Sequence, residues 1–201
     1  MAPWSDVRRY RSDMSDPLEE EAEAESVVGS GLEFGPDLDR KPLLLLDVDG
    51  VINDLNAHLM LGLLGGEDPD AAAKLGIELV RSHGHTLAVP VYMPELIREL
   101  TSRAETWWCT TWRDRANDEL AAHLSVEAFP VIDPDGSENE GRDWKARHVR
   151  PLVEAAQEAG RSVVWIEDFN GDLPDLEGVV FVDTGERGVL RWADLPLDVF
   201  D

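Results

Sequence analysis

Four consecutive leucines, Leu43 to Leu46, stand between Pro42 and the tetrapeptide Asp47-Val48-Asp49-Gly50. A run this short cannot make a helix, and with no polar residue alternating along it there is no solvent face, so it reads as a strand buried on both sides. Strands covered on both faces belong to parallel sheets with helices packed against them. The rest of the chain repeats that theme. Pro94 ahead of Glu95, Leu96, Ile97 and Leu100 predicts a helix over Met93 to Arg103 with proline in its first turn. A strand over Glu105 to Thr110 follows, then helices over Arg113 to Leu124 and Lys145 to Ala159, and strands at Val163 to Ile166 and Val179 to Val182. This alternation predicts an α/β domain over residues 41–201 with a central parallel sheet flanked by helices. Between the first two strands, Glu78 to Val89 reads as a hairpin around His83-Gly84-His85, and Gly62 to Gly76 as a mobile connection or a short helix. The insertion, about 53–92, is placed to serve as a flap or small cap over a site.

Charge narrows the function classes. The 201 residues carry 42 Asp+Glu against 18 Lys+Arg, a net of −24. Non-specific duplex binding depends on Lys and Arg displacing counterions from phosphates, so a duplex-coating role is disfavoured, while recognition of a single phosphate end is not. Residues 1–40 hold four Arg against eleven acids and show no sustained apolar period, which reads as a solvated, disordered tail, with docking of a protein partner as its alternative use. Cys109, the single cysteine, cannot form an internal disulfide. No apolar stretch reaches the roughly 18 residues a membrane span needs. The opening residues lack the pattern of a secretory signal, and a cytoplasmic setting is the expectation.

The chemistry collects at the ends of the expected strands. Asp47 and Asp49 are two apart, so strand period puts both carboxylates on one side while Val48 turns away. Ligands of open parallel sheets bind outside the carboxyl ends of the strands, where both acids should emerge. Close carboxylates repel unless a cation or a proton lies between them. A calcium loop is a poor alternative, because Val51-Ile52 interrupts the regular oxygen ligands it would need. Trp107-Trp108-Cys109 runs into Thr110-Thr111, and Val163 to Ile166 runs into Glu167-Asp168, with Asp172 four residues beyond. Lys145, near the start of a helix between them, can bring positive charge to the same edge.

The order Asp-x-Asp, Thr, Lys, acidic cluster resembles the four motifs of the haloacid dehalogenase-like superfamily, matched here by Asp47-Val48-Asp49-Gly50-Val51, Thr110, Lys145, and Glu167-Asp168 with Asp172. The resemblance spans roughly Pro42 to Val182. The stretch from Trp108 to Asn117, with Trp165-Ile166-Glu167-Asp168, is also similar to a compact bacterial branch linked with domains found in RNA-repair proteins. The resemblance implies a Rossmann-like fold and an Mg²⁺-dependent phosphatase working through an aspartyl-phosphate. Asp47 would be the nucleophile, and Asp49 the acid and then the base. Thr110 would hydrogen-bond a phosphoryl oxygen, with Thr111 as its alternative if the strand ends one residue later. Lys145 would offset charge on the phosphoryl group and on Asp47. Mg²⁺ would sit on Asp47, the Asp49 carbonyl and Asp168, with Glu167 and Asp172 as further direct or water-bridged ligands. Asp49 favours phosphoryl hydrolysis over dehalogenation, since only the former needs a protonated leaving group. The short insertion weakly favours a nucleotide, a nucleic-acid end or a phosphoprotein as substrate.

Other conspicuous residues have plainer accounts. His83 and His85 suit an exposed hairpin turn better than a zinc site, for which no third ligand is apparent. Cys109 suits a buried thiol better than a nucleophile. Most tryptophans suit core and rim packing, and Trp112, just beyond the Thr station, is the one placed to face substrate, while Arg113 and Arg115 could reach a phosphate from the start of their helix. Two competing functions stay open: a phosphotransferase on the same scaffold, and a non-catalytic metal-binding regulatory protein that docks through its acidic tail. Halophily would account for the charge with no partner.

Overall fold

A computed structural model describes residues 41–82, 84–133 and 144–200. The acidic tail (1–40) and His83 therefore lie outside the described residues. Strand β1 (Leu43–Leu46) is followed by helices α1 (Leu55–Leu63) and α2 (Pro69–Lys74) and by the antiparallel hairpin β2 (Ile77–Ser82) and β3 (His85–Pro90). Helix α3 (Met93–Arg103) leads into β4 (Glu105–Trp108). The next helical stretch, α4, opens at Asp114–Ala116, widens into a π-helical turn at Asn117–Ala121 and closes at Ala122–Leu124. Helix α5 (Trp144–Glu158), β5 (Val163–Glu167) and β6 (Val179–Asp183) complete the order.

The main sheet has the order β4-β1-β5-β6, with every pairing parallel. It is the helix-flanked α/β sheet expected from the alternation, compatible with a Rossmann-like arrangement. The leucine run explains why β1 is central. Leu44 and Leu46 enter one hydrophobic core, with Leu96, Ile97 and Leu100 of α3 and Leu120 of α4. Leu43 and Leu45 enter a second, with Val149, Val153 and Ala156 of α5 and Trp165 of β5. All four leucines are completely buried, each burial stabilising by about 1.5–3 kcal/mol. No helix among the described residues is long and apolar enough to cross a membrane.

Two local features, the end of β4 and helix α1, depart from expectation. Strand β4 stops at Trp108, two residues before the expected end. Its partner β1 ends opposite it at Leu46, whose carbonyl accepts the Cys109 N–H at 2.9 Å as the last rung between the two, so the ladder has no rung for Thr110. Residues 62–76 hold the short helix α2, capped by Asp68, which is one of the two readings offered for them. Helix α1 was not expected at all. Its N-terminus is capped by the Asp54 carboxylate, which accepts the Ala57 N–H at 2.8 Å, yet it leaves Leu55, Leu59, Met60 and Leu63 exposed.

The hairpin is built into the domain, not loosely attached. Leu87 and Val89 of β3 belong to the main core, while Ala88 and Ile77 form a separate small cluster with Leu61 and Ala72. Two hydrogen bonds tie the hairpin to the segment that follows β1. The Asp54 N–H donates to the Ala88 carbonyl (2.8 Å), and the Ala88 N–H donates to Asn53 Oδ1 (3.0 Å).

Candidate functional site

Strand β1 has β4 on one side and β5 on the other, so the chain leaves it toward one neighbour and later returns to the other. Loops on the two sides diverge at such a switch point and open a crevice at the carboxyl end of the strand. Asp47 is the first residue past that end. Its Oδ1 accepts the N–H of Val48 (2.8 Å) and its Oδ2 accepts from Lys145 Nζ (2.9 Å). Lys145 comes from the first turn of α5, is buried, and also donates to Glu167 Oε1 at 2.8 Å. The other Glu167 oxygen accepts the indole N–H of Trp165 at 2.8 Å, so a core tryptophan two residues back in β5 sets its direction.

Asp168 completes the edge. Carboxylate oxygens of Asp47, Glu167 and Asp168 all lie within 4.8 Å of one another, and this trio could hold a metal ion. The donors are hard oxygens from three carboxylates, a set suited to Mg²⁺ or another hard divalent cation. Gly50 makes the approach of Asp168 possible. Its φ is +72°, a conformation that disfavours side chains, and a Cβ there would lie 2.7 Å from the Asp168 Cβ and 2.9 Å from its Oδ2. The Gly50 carbonyl is anchored by the hydroxyl of Thr184, fully buried just past β6, at 2.7 Å.

One ammonium faces more negative charge than it can balance. Burial alone would push the Lys145 proton off, but Asp47 and then Glu167 outweigh it and hold the ammonium above the ordinary lysine range. Burial pushes Glu167 up to about 7, against the pull of Lys145 and with the repulsion of Asp47 added. Asp168 is pushed up to about 6 by burial and then by Asp47. A divalent cation among these groups would relieve that excess.

Asp49 projects elsewhere. Its Oδ2 accepts the indole N–H of Trp112 at 2.8 Å and its Oδ1 accepts from Asn53 Nδ2 at 2.9 Å. Its carboxylate is therefore outside the trio, fixed by two donors while Asp47 is fixed by Lys145. Trp112, in the loop beyond Thr110, thus contacts Asp49 through its ring N–H. The Arg115 guanidinium lies 5.0 Å from the centre of the same indole ring. Thr110 is completely buried, and its hydroxyl accepts the Trp112 N–H at 3.2 Å, which leaves the hydroxyl proton available for donation. Thr111 is exposed and lines a cavity of about 550 Å³ together with Asp49, Trp112 and Arg115.

Two other candidates are not members of the carboxylate trio. The Arg113 side chain is ion-paired with Asp133 at 3.4 Å, and its backbone φ of +53° turns the chain from the Thr110 loop into α4. Asp172 is exposed, its N–H bonded to the Phe169 carbonyl, and is not a member of the carboxylate trio. Cys109 is fully buried in the α5-side core, and burial pushes its thiol well above the ordinary range, as suits an inert structural group. Asn53 and Thr184 carry no signal in the sequence, and Trp165 stands out there only within the resemblance and as a packing residue. Each orients a site group through a side-chain hydrogen bond, a link with no periodic signature.

Comparison with protein-family models, curated proteins and solved structures finds no match for this chain.

Proposed function

We propose that the protein is a phosphatase, a haloacid dehalogenase-like phosphomonoester hydrolase that uses Mg²⁺ and forms an aspartyl-phosphate on Asp47. The observation that carries this reading is the pairing of two differently supported aspartates at the switch point. Asp47 is bound to Lys145 and belongs to the carboxylate trio, while Asp49, two residues on, is held by Trp112 and Asn53 outside it. Two carboxylates held in different surroundings can take different roles.

In this reading an oxygen of Asp47 attacks phosphorus, the bond from phosphorus to the leaving oxygen breaks, and Asp49 gives that oxygen its proton. Water then attacks the aspartyl-phosphate, Asp49 accepts its proton, and inorganic phosphate leaves with Asp47 restored. The two halves balance, so no other reactant is needed. Lys145 stabilises negative charge on Asp47 and on the transferring group, and the Thr110 hydroxyl donates to a phosphoryl oxygen. Asp47, Glu167 and Asp168 would hold Mg²⁺, with the Asp49 carbonyl as the further ligand the resemblance implies. When bound, the ion supplies positive charge that reduces repulsion between the anionic nucleophile and the anionic substrate.

The test is phosphate release from a generic aryl phosphate with Mg²⁺ and with chelator. Turnover that depends on the metal and falls by at least about a thousandfold in Asp47→Asn supports the reading, a loss within the range for removing a covalent nucleophile. Equal turnover in the variant and the parent would overturn it.

A further inference from the structure

We propose that the cavity beside Asp49 is a leaving-group subsite selective for an alcohol that carries a second negative charge, an inference that rests on the phosphatase reading. Asp49 lines this cavity, and as proton donor it must lie against the leaving oxygen, so the carbon skeleton bonded to that oxygen extends into the same space. At about 550 Å³ the cavity has the size of small-molecule sites and holds far more than a simple alkyl group.

Its described lining is less acidic than the chain as a whole. The protein carries 42 acidic residues against 18 Lys+Arg, yet Asp49 is the one acid among the described residues of this lining, and Trp112 and Asn53 already occupy its oxygens. Three side chains able to carry positive charge, His58 from α1, His85 from β3 and Arg115 from α4, converge on the same space from separate elements. The Arg115 guanidinium and the ring N–H groups of the two imidazoles are donors that suit a bound anion.

Trp112 links these groups to the reaction. The edge of its indole holds Asp49 at 2.8 Å, and its face carries the Arg115 guanidinium at 5.0 Å. One rigid ring thus fixes the spacing between the proton donor and a cation. Arg115 is also ion-paired with Glu119 through Nε at 3.3 Å, and a guanidinium with five donors can serve both a carboxylate and a phosphate. A neutral alcohol would use none of this.

The experiment compares a four-carbon diol monophosphate with its bisphosphate, counted per phosphoryl group. Dissociation constants are measured with Mg²⁺ on the full-length Asp47→Asn protein, where turnover does not intervene. Binding at least about tenfold tighter for the bisphosphate is expected, within the range for added hydrogen bonds to a charged group. That preference should fall below about threefold in the triple variant His58→Gln, His85→Gln, Arg115→Gln. It should also fall by half or more in the parent as salt rises to about 0.5 M, a readout that needs no substitution at the rim. A preference below about twofold, or one kept in full by the triple variant, overturns the subsite. Aryl phosphate turnover by the wild type separates the two failures. Normal turnover with a flat binding ratio overturns the subsite alone, whereas absent turnover overturns the reaction and the subsite with it.

Discussion

Gly50 combines a φ of +72° with a 2.7 Å approach of any added Cβ to the Asp168 side chain. Gly50→Ala is therefore expected to strain the turn and push Asp168 away from Asp47. Mg²⁺ affinity, read by calorimetric titration, should drop about 10- to 100-fold, the range for disturbing the support of a metal ligand. Unchanged affinity would show that Asp168 is not needed for the ion. Trp112 allows a cleaner test of Asp49. Trp112→Phe keeps the ring under Arg115 and removes the N–H that fixes the carboxylate. Proton donation matters most for poor leaving groups, so turnover of an alkyl phosphate should fall about tenfold or more beyond any fall for an activated aryl phosphate. Equal losses on both would mean a general packing defect. The carboxylates, the lysine and the threonine were all legible in the sequence, because each stands at the end of a strand or the start of a helix that apolar patterning marks. Asn53 and Thr184 were not, since a lone polar residue in a loop gives no sign of what it will touch.

Strand β5 delivers two carboxyls, Glu167 and Asp168, whose proton affinities are raised to about 7 and about 6 by burial first, with Asp47 adding repulsion. A carboxyl that holds its proton more tightly when folded favours the fold fully below its unfolded value, near 4, and that contribution is lost as pH rises through 6 and 7. The metal-free protein is thus expected to lose stability from these groups between about pH 4 and pH 7. A divalent cation opposes the loss. Millimolar Mg²⁺ should leave Tm nearly unchanged at about pH 5 and raise it by several degrees at about pH 8, where each kcal/mol is worth about 2–4 °C. Thermal melts at the two pH values check this, and an equal gain at both would contradict it. Pattern reading performed unevenly among the elements, for a physical reason. Helix α3 matches its expected bounds because Pro94 marks its start and Met93, Leu96, Ile97 and Leu100 form one buried stripe. Helix α1 has apolar residues around its circumference and buries Leu61 while exposing Leu59 and Leu63, so no stripe points to a core. The end of β4 depends on where its neighbour stops pairing, which its own residues do not encode.

Across the molecule, the parallel sheet was foreseeable from alternating elements, but the order β4-β1-β5-β6 was not, because local periodicity says nothing about which strands become neighbours. That order is what makes the end of β1 a switch point and brings Asp47 together with Glu167, Asp168 and Lys145, the last three supplied by segments about a hundred residues downstream. The account stands on Asp47 acting as a nucleophile and not merely as a ligand. Acid-quenched single turnover with a labelled phosphate ester, followed by peptide mass mapping, tests that directly. The expected result is a transient phosphoryl group on Asp47, lost on treatment with hydroxylamine and missing from Asp47→Asn. Phosphate release at the full rate with no phosphoryl group on the protein at any time point would contradict the account.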